Sequence, residues 1–188
     1  MQRKSTWRRG GYKVREKPIL GDKITITSDP HMPYATRSSA FSHYDGMPTR
    51  KVAIIEDSVL KTFHGPKKFH DYLKLEDRGL DPTGQLGSLI VSPGTRSVQD
   101  LFNDSEPVYV VKAWSAYMPD AFSGNINLEI RLGSVIDRGG EYPITNALFV
   151  GNLFDMLANM HLSSETVSAG SYRGPAAIRF NDVTITGE

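Results

Sequence analysis

The side chains with most to offer chemically in this 188-residue chain are five histidines, the carboxylate pair Glu56-Asp57 and a basic first segment; cysteine is absent. His31 and His43 have a spacing that matches no standard metal-ligand motif. With no thiolate to complete a set, they read as surface or hydrogen-bonded histidines. His64 and His70, six residues apart, lie on poorly matched faces of a helix and are unsuited to share an ion. Glu56-Asp57 has the composition of an acid–base pair, yet with Ser58 it is also turn chemistry, where carboxylates bond local backbone N–H groups. The glycines of Pro82-Thr83-Gly84-Gln85-Leu86-Gly87 lack the Gly-Lys-Ser/Thr ending of a phosphate cradle, so nucleotide binding gains no support.

Charge is unevenly spread. Residues 1–17 hold Arg3, Lys4, Arg8, Arg9, Lys13, Arg15 and Lys17 against Glu16 alone, a net of +6 that leaves −5 for the remainder. Such an arm can contact phosphates through Arg3, Lys4, Arg8 and Arg9 and stack bases on Trp7 and Tyr12. It can equally be a solvated extended segment. Residues 18–188 are long enough for one domain with its own core. No run of about 18 apolar residues offers a membrane span. The first residues carry no apolar stretch after their positive charges, so a secretory signal is not expected. Without cysteine the chain suits a reducing compartment, and a cytoplasmic location is the expectation.

The elements that must position these residues read as many strands and about two short helices. Lys23–Thr27 alternates, with Ile24 and Ile26 on one face. Asp29–Gly46 is rich in turn residues and aromatics and reads as a long ordered loop. Val52–Ile55, Glu56-Asp57-Ser58 and Val59-Leu60 form a strand–turn–strand. Gly65-Pro66 opens a helix with Phe69, Tyr72 and Leu73 as its apolar stripe and Gly79 as its stop. Ser88–Val91 is a short strand, and Val98–Phe102 one or two helical turns.

Val108–Trp114 is apolar enough to be buried on both faces. Ser115–Ser123, with Tyr117, Met118 and Phe122, then reads as a bulky loop. Asn125–Leu132 alternates most clearly, with Ile126, Leu128, Ile130 and Leu132 on one side. Gly133–Asp137 continues it to a hairpin at Arg138-Gly139-Gly140-Glu141. Asn152 caps a helix whose stripe is Leu153, Met156, Leu157 and Met160, with Asp155 in its first turn. Ser163–Gly174 reads as a small-residue mobile loop. Ala176–Thr186 is a final strand with a bulge where the alternation shifts at Asn181-Asp182. The class is α+β: a β-rich, mostly antiparallel single domain.

Order and spacing of the fragments carry a resemblance. Asp22-Lys23-Ile24-Thr25-Ile26, Asp29-Pro30-His31, Asp45-Gly46-Met47-Pro48-Thr49-Arg50 and Ile55-Glu56-Asp57-Ser58-Val59-Leu60-Lys61 come first. Pro82-Thr83-Gly84, Ser92-Pro93-Gly94, Gly151-Asn152-Leu153 and Thr184-Ile185-Thr186-Gly187 follow. From about Gly21 to Gly187 the chain resembles the C-terminal domain of the TldD/PmbA proteins, known as modulators of DNA gyrase and as metallopeptidases. Asp29-Pro30-His31 and Gly151-Asn152-Leu153-Phe154-Asp155-Met156 look more like the PmbA (TldE) branch.

The resemblance implies dimers that enclose a cavity for extended or unfolded peptides. It also implies a zinc site built from a His-Glu-x-x-x-His helix that precedes the matched region, with a cysteine near the C-terminus. Neither is present here: no histidine is followed by Glu, and the cysteine's neighbourhood reads Ser171-Tyr172-Arg173-Gly174-Pro175. No catalytic residue and no metal ligand is therefore assigned to this chain. Zinc is expected on a TldD-like catalytic partner or on a preceding half. By the same resemblance Trp114, Tyr117 and Met118 lie near the substrate cleft, although the bulky stretch Ser115–Ser123 could equally fill a core edge. The expected function is a noncatalytic subunit or domain that shapes a peptide cleft, either beside such a partner or as a self-dimer. The alternative is a nucleic-acid-binding module acting through the arm.

Overall fold

A computed structural model describes residues 18–62, 65–74, 84–103, 106–120, 123–181 and 183–187. The basic arm, His64, Gly79, Phe122 and Asp182 fall outside them. In chain order the elements are β1 (Ile26–Asp29), β2 (Val52–Glu56), β3 (Val59–Leu60), α1 (Lys67–Tyr72), β4 (Ser88–Val91), α2 (Val98–Phe102), β5 (Val108–Pro119) and β6 (Asn125–Asp137). There follow β7 (Gly140–Ile144), β8 (Ala147–Asn152), α3 (Leu153–Ala158), β9 (Met160–Leu162), β10 (Thr166–Ala169), β11 (Tyr172–Pro175), β12 (Ile178–Phe180) and β13 (Val183–Thr186). The fold is β-rich α+β and mostly antiparallel, with three short helices among the described residues. Contacts divide the chain into two compact units. One comprises Met1–Asp22, Gly94–Ser164 and Ala177–Glu188, the other Lys23–Pro93 and Glu165–Ala176.

The first unit is built on β6. β5 runs along one edge of it, while β8 and then β7 share the other, pairing with Asn125–Ile130 and Gly133–Asp137 respectively. β13 closes the sheet beside β8. The alternation in β6 is real, and Ile126 and Ile130 join Ala147, Phe149 and Met156 in the core, with Leu128, Ile144, Val183 and Ile185 around them. Leu132 breaks the pattern and is 58% exposed. Register slips between the pairs at Ala113 and Trp114 skip Arg131, and one extra residue reverses which face the next side chain takes.

α3 begins where the sequence predicts. Asn152 Oδ1 accepts from Phe154 N–H at 3.0 Å, and its Nδ2 donates to Ser123 O and Asn125 Oδ1. The buried stripe is shifted, however, to Phe154, Met156 and Ala158. Met160 belongs to β9, because the helix ends after six residues. β12 and β13 are also two strands, not one bulged strand. β12 pairs with β9 and β13 with β8, so the break in alternation at Asn181 marks a change of sheet.

The second unit holds the sheet β10-β11-β4-β1-β2-β3. Its residues 165–174 form the β10–β11 hairpin rather than a mobile loop, and β11 runs parallel to β4. Small residues here are strand residues, because Gly174 sits against Tyr172 and Val91 with no room for a larger side chain. α1 likewise reverses its expected face. His70 is buried, while Phe69 and Tyr72 are exposed.

Candidate functional site

The adjacent carboxylates Glu56 and Asp57 sit at the β2–β3 turn. Asp57 and Ser58 both adopt left-handed backbone, φ 49° and 64°. Two such residues in succession match the twist of a tight hairpin. The turn is then pinned. Ser58 Oγ accepts from Ile24 N–H at 3.1 Å, Ser58 N–H donates to Ile24 O at 2.8 Å, and Asp57 N–H donates to Thr25 Oγ1. Glu56 pairs with exposed Lys61 at 3.0 Å. These groups hold the turn against the residues that lead into β1.

Asp45-Gly46-Met47-Pro48-Thr49-Arg50 is also a structural device. Asp45 accepts from the backbone N–H of Lys67, at the start of α1, and of Met47. The Lys67 N–H holds its carboxyl below the usual range. Thr49 Oγ1 donates to Ser39 O and meets His31 Nε2. His43 Nδ1 lies 2.6 Å from Gln85 Oε1 and its ring packs on Tyr44. Asp29 accepts from His31 N–H and pairs with Lys51 at 3.2 Å. Burial pushes its carboxyl up, but these donors outweigh it and lower its pKa. His31 and His43 thus have separate hydrogen-bond partners. Among the described residues, no three of His, Asp and Glu come together as a group able to hold a metal ion.

Trp114, Tyr117 and Met118 are 57%, 54% and 70% exposed. The expected loop begins later than the sequence suggests, since β5 runs on to Pro119 and carries all three. Trp114 stands opposite Ile130 and Met118 opposite Asn127. Between them Ala116 is left-handed, φ 49°, and the register slips. That bulge breaks the two-residue alternation and re-aims Tyr117 and Met118. Nor is β5 buried on both faces, because Tyr109 is 48% exposed as well. Among the described residues β5 pairs with β6 alone, leaving its other edge a row of unpaired backbone groups.

Sequence reasoning missed this open edge, the left-handed Ala116 and the Asp22–His161 pair, none of which has a sequence signal. Arg3, Lys4, Arg8 and Arg9 lie outside the described residues.

Residues 2–187 match the family model described as the PmbA/TldA metallopeptidase C-terminal domain. The chain belongs to the TldD/PmbA family. An uncharacterised protein of Methanocaldococcus jannaschii is 26% identical over 175 residues, 88% of this chain and 40% of that protein. A zinc metalloprotease TldD homolog of Saccharolobus solfataricus is 24% identical over 170 residues, 84% of this chain and 34% of the homolog. Among solved structures, TldE of Thermococcus kodakarensis superposes with a TM-score of 0.68 at 22% identity, covering 91% of this chain and 41% of its own. A candidate modulator of DNA gyrase from Bacteroides thetaiotaomicron gives 0.70 at 21%, covering 97% and 42%. The structural likenesses establish the TldD/PmbA C-terminal fold. The chain spans about two fifths of the length of most of these relatives. No described helix is long and apolar enough to cross a membrane.

Proposed function

We propose that this chain is a noncatalytic, PmbA/TldE-like part of a TldD/PmbA peptidase system that shapes the cleft for extended or unfolded peptides. Zinc, the activated water and the glutamate base come from a TldD-like partner or from a preceding half of a longer protein, in a cytoplasmic setting. The observation that carries the reading is family membership combined with β5, an open-edged strand presenting Trp114, Tyr117 and Met118. An extended backbone can add to such an edge, and exposed aromatic and thioether side chains can hold its apolar residues.

The test is capture of the full chain with its partners from the source lysate, followed by zinc content and peptidase assay of the eluate. A zinc-bearing TldD-like partner active on unfolded peptides is the expected result. A chain that elutes alone, with stoichiometric metal and activity, overturns the reading. Within an active assembly, the triple change Trp114→Ala, Tyr117→Ala, Met118→Ala should lower kcat/KM about tenfold without loss of zinc.

A further inference from the structure

β9 is enclosed: Met160 and Leu162 are 1% and 0% exposed. Its His161 lies directly opposite Arg179 of β12. The segment Leu20–Asp22 is hydrogen-bonded to it and to the end of α3, Leu20 N–H donating to Ala158 O and Asp22 N–H to Met160 O, both at 2.8 Å. Asp22 is tied a second time, since its Oδ2 accepts from Leu162 N–H at 2.8 Å. Its other oxygen is 4.0 Å from His161 Nδ1, beyond hydrogen-bond reach, and that buried nitrogen has no partner. The charged groups acting on the imidazole are Asp22 from the segment, Arg96 from the stretch bridged to Ser163, and Arg179 from β12.

We propose that Asp22 and His161 form a proton-operated clasp fastening Leu20–Asp22 to β9. With the imidazole neutral, the segment is held by its backbone bonds and the Asp22–Leu162 bond. Protonation makes Nδ1 a charged donor, and a small side-chain rotation closes the gap to Asp22 Oδ1. Burial, then Arg96, oppose that proton more than Asp22 favours it, lowering the pKa of His161 and placing the event on the acid side of the ordinary histidine range. The two consequences have opposite signs. The fold as a whole loses stability, because the unfolded chain takes the proton more readily, while within the folded state the segment is held more tightly.

The experiment follows the full chain by NMR across the histidine range, about pH 5 to 8, recording the His161 ring titration and amide protection factors. Leu162 protection should rise about fivefold as His161 protonates, while the unfolding midpoint falls. Asp22→Asn should abolish that rise and move the His161 midpoint further down, and Arg96→Ala should move it up. Leu162 protection that falls with global stability in the unaltered chain overturns the clasp, as does an Asp22→Asn variant that titrates unchanged.

Discussion

The two units bury different chemistry. In the first, the described interior is Leu101, Ile126, Ile130, Ala147, Phe149, Phe154, Met156, Ala158, Met160 and Leu162, with Ser134 and Ser163 the buried polar residues among those described. In the second, Ile24, Met32, Ile55, Leu60 and Val91 share the inside with Ser28, Ser42, Thr49, Ser58, Thr62, His70 and Ser88. Strand length explains the difference. β5 and β6, of 12 and 13 residues, satisfy each other's backbone over a long ladder and leave side chains free to be apolar. β1 to β4 have two to five residues each, so much of that unit's backbone lies outside ladders. Small hydroxyl side chains take the place of strand partners there, as Ser58 does for Ile24 and Ser28 for Gly87 N–H at 2.9 Å. Several family-like fragments fall in the second unit, where Asp29, Asp45, Thr49 and Ser58 hydrogen-bond nearby backbone groups.

Substitutions should separate the units by mechanism. The largest effect is expected from Phe154→Ala, which empties a site only 2% exposed and should cost about 3–5 kcal/mol in chemical denaturation. A cost below about 1 kcal/mol would mean the first unit is not held by apolar packing. Ser58→Ala should cost about 1–2 kcal/mol by leaving the buried Ile24 N–H unpaired, and Ser58→Gly should not recover it, although glycine suits the left-handed backbone. Recovery by glycine would show that conformation, not the hydrogen bond, matters in the second unit. At β5, Ala116→Gly should raise stability by about 0.5–1 kcal/mol, whereas Ala116→Val lowers it. Lys67→Ala, removing an exposed pair with Asp71 at 2.6 Å, should change stability by about 0.3 kcal/mol.

Acid distinguishes the units in a different way. His161 has a lowered pKa, so its neutral burial contributes fully above the ordinary histidine value, and the contribution is lost as pH falls below it. Asp29 and Asp45 have lowered carboxyl pKa values. Their contribution is complete above the ordinary carboxylate value and is lost as pH falls through the folded one. Residue-resolved hydrogen exchange should therefore show a response around β9 in the histidine range and one around Asp29 and Asp45 in the carboxylate range. A single simultaneous loss of protection would contradict that separation.

Much of the fold is legible locally. The cap at Asn152, the alternation of β6 and the turn at Glu56-Asp57-Ser58 follow from hydrogen-bonding chemistry and period alone. α1 misleads because a six-residue helix has too few turns for its stripe to choose a face, and packing placed His70 inside instead of Phe69 and Tyr72. Ser163–Gly174 misleads because small residues signal a loop, yet Gly174 is required where β11 runs close beside β4.

The sequence by itself determined that this is a β-rich TldD/PmbA C-terminal domain without the His-Glu-x-x-x-His motif or any cysteine. Motif order and absent ligands are properties of the chain, and no folding is needed to read them. Tertiary structure alone decided that β5 continues through Trp114, Tyr117 and Met118 and pairs, among the described residues, with β6 alone, and that Asp22 accepts from Leu162 N–H across 140 residues of chain and lies 4.0 Å from His161 Nδ1. Register, bulges and edges depend on which strands pair, and that pairing is settled between segments far apart in sequence.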